Sequence, residues 1–408
     1  MTATRSPSSN RMMAVHERLL WLPVAAVLLG TGWGANQFTP MLLVYRQTLA
    51  LGTGTLEAMF GLYALGLIPG LLLAGPLSDA RGRRVVVVPA AGLSLAASLV
   101  LIAGGHNVEL LFVGRLLAGV SSGAVFGAGT AWLRELSRPP FGSVSDHGAA
   151  RRAAIAMTAG FGLGPLVAGL LAEWAPASRV VPYLPHVALM AVVLVFLQGA
   201  PETVAENEGG TVHLSLPGVR TSRFRGVIGP MAPWVFAAPA IAFALLPSVV
   251  GAGHATDGIA LTAAITALCA LAGVLIQPLA RRLDARGRGN RAATTGLLVL
   301  VGGLALGAVT AGARDTWMLV PCAIVLGSAY GLCLVAGLVE IQRLADQGAL
   351  ARLTAAYYAL TYLGFAAPYL LALGSHLASY SILLAITAAL AMSTAAHVTR
   401  RASRAAAY

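Results

Sequence analysis

The stretch GPLSDARGRR runs from Gly75 to Arg84, and ARRLDARGRG runs from Ala280 to Gly289. Both contain the string DARGR, at 79–83 and 284–288, an offset of 205 in a chain of 408 residues. Other landmarks recur at nearly the same interval. Gly119 and Gly123 match Gly327 and Gly331, Pro40 matches Pro247, and Pro165 matches Pro368. A repeat of half the chain length implies two homologous halves. Each copy of the string sits between long apolar runs, so the duplicated unit is itself built of apolar segments.

Those runs recur along the whole chain, each long enough for a helix to cross about 30 Å of hydrocarbon in roughly 20 residues. They cover 19–44, 56–78, 85–105, 108–133, 150–173, 181–200, 227–251, 258–281, 292–312, 316–338, 353–374 and 378–398. The runs are too long for strands and lack strict alternation. Composition agrees: 57% of residues are hydrophobic and only 10% are charged, against about 25% charged in soluble domains. The expectation is an all-α membrane protein of twelve transmembrane helices in two pseudo-symmetric six-helix bundles. The bundles should cover 19–200 and 226–399, joined by a linker at 201–225 and flanked by tails at 1–18 and 400–408.

The net charge of +12 comes from 27 basic residues, all of them arginine. They cluster in short loops between apolar runs, which argues against a nucleic-acid surface. Arg46, Arg179 and Arg314 fall on one side, Arg115 falls within the fourth run, and the remaining 23 fall on the other side. Positive loops face the cytoplasm. This places both termini in the cytoplasm of a multi-pass protein of the cell membrane, and the lipid bilayer is its surroundings. Arg5, Arg11 and Arg18 precede a run too long for a signal peptide, with no cleavage site after it. Cys269, Cys322 and Cys333 all lie in apolar runs and form neither a disulfide framework nor a metal-ligand spacing. An enzyme would need a cluster of nucleophiles, acids or metal ligands at one interface, and a receptor would need an output domain. The sequence offers neither. Duplicated bundles suit a transporter with its solute site near the midplane between halves.

The first loop resembles the signature G-x-x-x-D-(R/K)-x-G-R-(R/K) of the major facilitator superfamily through Gly75, Asp79, Gly82, Arg83 and Arg84. Ala80 departs from it. The second copy keeps Asp284, Gly287 and Arg288. Physically, Gly82 permits a tight turn and Asp79 ends a helix with a charge that suits another helix's N-terminus. The resemblance implies that Asp79 meets the eleventh span, that Asp284 meets the fifth, and that Arg83 and Arg84 help latch the cytoplasmic side. The alternative is that these arginines only anchor the topology.

Arg115 lies inside the fourth run, where even a lenient scale charges about 2.5–3.5 kcal/mol. Its counterpart in the repeat is Ala323. Leu111, Arg115 and Gly119 resemble the family's fourth-span motif, whose arginine the resemblance links to proton coupling; snorkelling outward is the bland alternative. Gly160, Gly164, Pro165 and Gly169, with Ala168 departing, resemble the fifth-span signature of the drug:proton antiporters. Gly160, Gly164 and Ala168 share a face for close helix approach. Asn36 and Gln37, before Pro40, should face a cavity or a helix partner. Tyr330 and Tyr358 are candidates for the solute pathway; Tyr357, Tyr362, Trp132 and Trp234 are as readily core or interfacial. His186 and His376 look like outer-end residues without a role. Glu57, Asp79, Asp284 and Glu340 all lie near helix ends, so a lipophilic cation would find no central acid. The expected function is export of a small-molecule drug or metabolite by proton antiport through alternating access. The proton gradient is the expected energy source, with no cofactor, no metal and a monomeric chain. Import of a neutral or anionic metabolite, and a receptor without transport, are the alternatives.

Overall fold

The computed structural model describes residues 19–204, 219–251, 257–285, 291–344 and 350–405. The expected tail at 1–18, most of the linker, Gly287, Arg288 and the last residues of the C-terminal tail lie outside them. Every long described element is helical. Ten helices are long and apolar enough to cross a membrane. In chain order they are the second span (Thr53–Arg81), third (Arg83–His106), fourth (Val108–Leu136), fifth (Gly148–Trp174), seventh (Phe224–Val250), eighth (Gly258–Leu283), ninth (Arg291–Ala313), tenth (Thr316–Leu344), eleventh (Leu353–Gly374) and twelfth (Tyr380–Arg401). The sixth, Val181–Leu197, is shorter. The first is interrupted, as Leu22–Asn36 and Phe38–Leu49. With these two the twelve expected spans are complete.

Several helices run past their apolar stretch. The second starts at Thr53 rather than 56 and ends at Arg81 rather than 78, and the first reaches Leu49 rather than 44. Hydropathy marks the lipid-immersed part, whereas backbone hydrogen bonding continues into the polar ends.

Proline explains where the helices bend. Pro40 has no N–H for the carbonyl four residues back, which is Asn36, and the first span breaks there. Pro247, its repeat partner, stands four residues after Phe243, and the seventh span relaxes into a π turn over Ile241–Leu245. The two halves thus carry the same defect at Asn36 and Phe243.

Small residues set the closest packing. A Cβ on Gly119 would strike the Tyr63 carbonyl oxygen, and one on Gly327 would strike that of Cys269. The fourth span therefore lies on the second, and the tenth on the eighth, backbone against backbone, as the repeat anticipates. Large apolar side chains point outward instead. Ile382, Ile386 and Leu390 form an exposed stripe along the twelfth span, and Val192, Val195 and Phe196 another on the sixth. Such stripes belong against lipid, not water.

The connections after the second, fourth, eighth and tenth spans, together with the helix ends that flank them, hold 14 of the 27 arginines; we call this the basic end. At the far end the halves touch. Arg46 Nη1 donates to the Ser248 carbonyl across 2.9 Å. Glu173 Oε2, on the fifth span, accepts from the amides of Ile259 and Ala260 at 2.8 and 2.9 Å, where a helix N-terminus favours an anion. Below these contacts Phe60 packs edge-on against Phe243 and Phe365.

Candidate functional site

Between the halves lies a cavity. Its lining comes from both halves: Asn36, Tyr63, Thr158 and Phe161 from the first, and Phe236, Pro239, Phe243, Ala270, Val274, Tyr330, Tyr362 and Phe365 from the second. Asn36 and Phe243, the two positions freed by the equivalent prolines, both face it. Seven of these side chains are aromatic and none is charged. Phe236 is the hub: its ring stacks on Tyr362 at 4.5 Å, Phe365 at 5.2 Å and Tyr330 at 5.5 Å between centroids. Asn36, in the lining, donates to the Phe161 carbonyl at 3.4 Å. The site offers flat apolar faces, phenol hydroxyls and one amide.

At the basic end, Arg83 gathers the loop. It pairs with Asp79 four residues back, donates to Ser78 Oγ at 2.8 Å, and forks onto Glu135 through Nε and Nη2 at 3.1 and 2.8 Å. Gly82 has φ of 104°, a conformation open to glycine, and a Cβ there would sit 2.6 Å from Glu202 Oε2. Glu202 caps the third span. Its two oxygens accept from the amides of Arg83 and Arg84, each at 2.9 Å. Burial, the largest single influence, pushes the Glu202 carboxyl up, but the backbone amides of Arg84, Arg83, Val204 and Thr203 together hold it below the ordinary carboxylate range. Trp132 Nε1 donates to the Pro201 carbonyl, so the start of the linker is docked on the loop.

The sequence pattern of the Major Facilitator Superfamily matches residues 22–369. The chain belongs to the Major Facilitator Superfamily. Among curated relatives, the quinolone resistance protein NorA of Staphylococcus aureus is 29% identical over 156 residues, 38% of each chain. The multidrug resistance protein MdtL of Klebsiella pneumoniae is 29% identical over 118 residues, 29% of this chain and 30% of its own. The chain thus spans less than two fifths of the length of these relatives. Among solved structures, the nucleoside transporter NupG superposes with a TM-score of 0.72 at 14% identity, covering 93% of this chain and 98% of its own; this likeness concerns the fold.

The stretch leading into the eleventh span, 345–349, lies outside the described residues, and the implied contact of Asp79 with that span falls there. The ion pair of Asp79 is with Arg83 of its own half, and its side chain is 63% exposed. An i,i+4 partner lies within easy reach on the same helix. The equivalent charge in the second half sits at Glu340, 205 residues after Glu135. Glu340 accepts from Arg223 at 2.5 Å and Arg343 at 2.7 Å. Of Asp284 the structure describes only the backbone. Gly75 meets open space, and its carbonyl accepts from Ser78 Oγ.

Arg115 does not line the cavity, nor does it snorkel. It is 1% exposed and donates to the carbonyls of Met59, Ala35 and Phe60 at 3.3, 3.2 and 3.4 Å. Its guanidinium also lies over the rings of Phe38 and Tyr63, at 4.6 and 4.7 Å. A charge this deep keeps its donors satisfied on main-chain oxygens of the first two spans, including Ala35 beside the proline break. It reaches the cavity through the Tyr63 ring.

Gln37 also stands outside the lining. It donates to Ser98 Oγ at 2.8 Å. Ser98 in turn meets His186 Nδ1 at 2.8 Å, and His186 Nε2 meets the Gly30 carbonyl at 3.0 Å. Ser98 accepts from Gln37, so its proton goes to Nδ1, and the imidazole carries its own on Nε2. His186 is therefore a buried link between the first, third and sixth spans rather than an outer-end bystander, a placement that spacing alone does not signal. Of the two tyrosine candidates, Tyr330 lines the cavity and Tyr358 does not; the Tyr358 ring lies 5.9 Å from that of Tyr357. Tyr357 donates toward the carbonyls of Cys333 and Leu334, and Trp234 donates to Thr394 Oγ1 at 3.2 Å; both serve packing. In the fifth span, a Cβ on Gly160 would meet the Leu29 carbonyl, one on Gly164 would lie 2.6 Å from that of Trp33, and one on Gly169 would meet Ala263 of the other half. Pro165 lies within this helix. Glu57 is near a helix end, as read from the sequence, yet it is fully buried.

Proposed function

We propose that the protein exports a small, flat, largely apolar solute across the cell membrane by alternating access, in exchange for protons, with the basic end in the cytoplasm. The observation that carries this reading is the cavity between the halves, walled by stacked aromatic rings and free of charged side chains. Aromatic pairs contribute about 0.5–1.5 kcal/mol beyond area, and an uncharged wall imposes no ionic partner on the solute. Asn36 and the Tyr330 hydroxyl would supply its polar contacts. The names of the relatives, both resistance proteins, support export. The charge asymmetry supports the orientation. Asp79, Arg83, Arg84 and Asp284 would act at the cytoplasmic gate, with Asp79 free to change partner as the halves rock. Gly160, Gly164, Pro165 and Gly169 would let the fifth span move closely past its neighbours.

The test is accumulation of labelled aromatic compounds in inside-out vesicles, with and without an acid interior. Accumulation driven by the gradient is expected, together with alkalinisation of the vesicle lumen when solute is added. Equal equilibration with and without the gradient would replace antiport by facilitated diffusion. Orientation is read separately, in a variant lacking Cys269, Cys322 and Cys333. An impermeant thiol reagent added to intact cells should label Ala313→Cys and spare Ser222→Cys.

A further inference from the structure

Glu57 lies one turn into the second span at the far end, fully buried, and among the described residues neither carboxyl oxygen has a hydrogen-bond partner. An ionised carboxylate held this way is costly, and such a group takes a proton instead. The helix N-terminus favours the anion, but that pull is small beside the cost of an unpaired buried charge.

The charges around it are few. The first span brings Tyr45 and Arg46, and Arg46 is the cation that acts on Glu57. Its Nη1, however, is given to the Ser248 carbonyl of the other half. The fourth span brings Glu109, which is exposed, and Arg115, which is committed to three carbonyls. Tyr369 is the titratable group on the outer part of the eleventh span, and the seventh span's Ile241–Leu245 turn has none. The one cation that acts on Glu57 is thus itself hydrogen-bonded to the other half at the far end.

We propose that Glu57 is a proton-binding site of the outer gate, and that Arg46 exchanges between two acceptors. In the open state the Glu57 carboxylate holds Arg46. A proton from the outer solution converts the carboxylate to the neutral acid, Arg46 is released to the Ser248 carbonyl, and the halves close over a neutral Glu57. Closing then takes up one proton and opening returns it. This rests on the orientation given above; the proton returns to the side it came from, so Glu57 sets the pH response of the outer gate and does not itself carry the exchanged proton.

The test uses the full chain in lipid nanodiscs, without solute or gradient, so gate behaviour is read apart from transport. With the three native cysteines replaced, spin labels at His106→Cys and Leu377→Cys report the distance between halves at the outer end. The short-distance population should grow as pH falls. Glu57→Gln, which mimics the protonated acid, should hold the short distance at every pH, and Glu57→Asp should restore the response. An unchanged pH response in Glu57→Gln, or none in the parent, overturns the proposal. If Glu57→Gln does not fold, dicyclohexylcarbodiimide labelling of the unsubstituted protein decides, since the reagent attacks the protonated acid. Modification mapped to Glu57 and rising as pH falls supports the proposal; its absence at every pH overturns it.

Discussion

The guanidinium of Arg115 lies 4.7 Å from the centroid of the Tyr63 ring, and the same ring forms part of the cavity wall. A charge on the fourth span is therefore one side chain removed from the cavity. This geometry makes Arg115 a positioning residue, and it predicts coupling rather than direct contact.

Arg115→Lys should lower transport about tenfold, since an ammonium cannot reach carbonyls on two helices as a planar fork does. The loss should be similar for neutral and anionic solutes. Combined with Tyr63→Ala, the effects should fall short of additive by about 1 kcal/mol, the size expected for one cation–π contact. Additive losses, or a loss confined to anions, would mean that the guanidinium meets the solute itself.

The basic-end loop separates stability from function. Arg83 forks onto Glu135, whose side chain is 33% exposed, whereas Asp79 is 63% exposed. Exposed ion pairs contribute roughly 0–1 kcal/mol, and removing one partner of a better buried pair costs more. Glu135→Gln should lower the unfolding temperature measurably. Asp79→Asn should leave it nearly unchanged while impairing transport. The opposite ranking in a thermal-shift series would show that Asp79, not Glu135, holds the loop.

Much of this was legible in the sequence, and the exceptions have physical reasons. The repeat, the twelve spans and the proline breaks follow from spacing, because a missing N–H acts at a fixed distance along the chain. Whether a polar residue faces cavity or core does not, since both faces of a buried helix are apolar in character. Arg115 and Gln37 accordingly lie behind the cavity wall rather than in it. His186 was hidden for a related reason: its partners, Ser98 and Gly30, are ordinary residues on distant spans. Glu202 reads as a linker charge until its oxygens are seen on the amides of Arg83 and Arg84.

Glu202 gives the loop a pH dependence of definite sign. Its carboxyl is held below the ordinary glutamate value of 4.5, so the folded state favours the ion. The docking contribution is then fully present above that value and is lost as pH falls through the lower folded one. Amide exchange at Arg83 and Arg84, corrected for intrinsic rate, should accelerate across that acid range. Glu202→Gln should show the accelerated exchange already at neutral pH. Equal protection in both proteins would mean that the helix end is held by something other than this cap.

The cavity wall yields the sharpest discrimination. Phe236 stacks on three aromatic neighbours, and Tyr362 is the nearest at 4.5 Å. Tyr362 lines the cavity, whereas Tyr358, four residues earlier on the same helix, does not. Truncating Tyr362 removes a stacking face at about 1 kcal/mol, equivalent to roughly a fivefold loss of affinity. It also frees Phe236 to turn. Tyr362→Ala and Phe236→Ala should therefore raise KM for flat solutes several-fold, with Tyr362→Phe close to the parent because the ring, not the hydroxyl, does the stacking. Tyr358→Ala serves as the internal control and should change KM little. The measurement is concentration-dependent transport in vesicles at matched protein levels. If Tyr358→Ala and Tyr362→Ala are equally impaired, the solute does not rest on the Phe236 stack, and the site lies further toward the basic end.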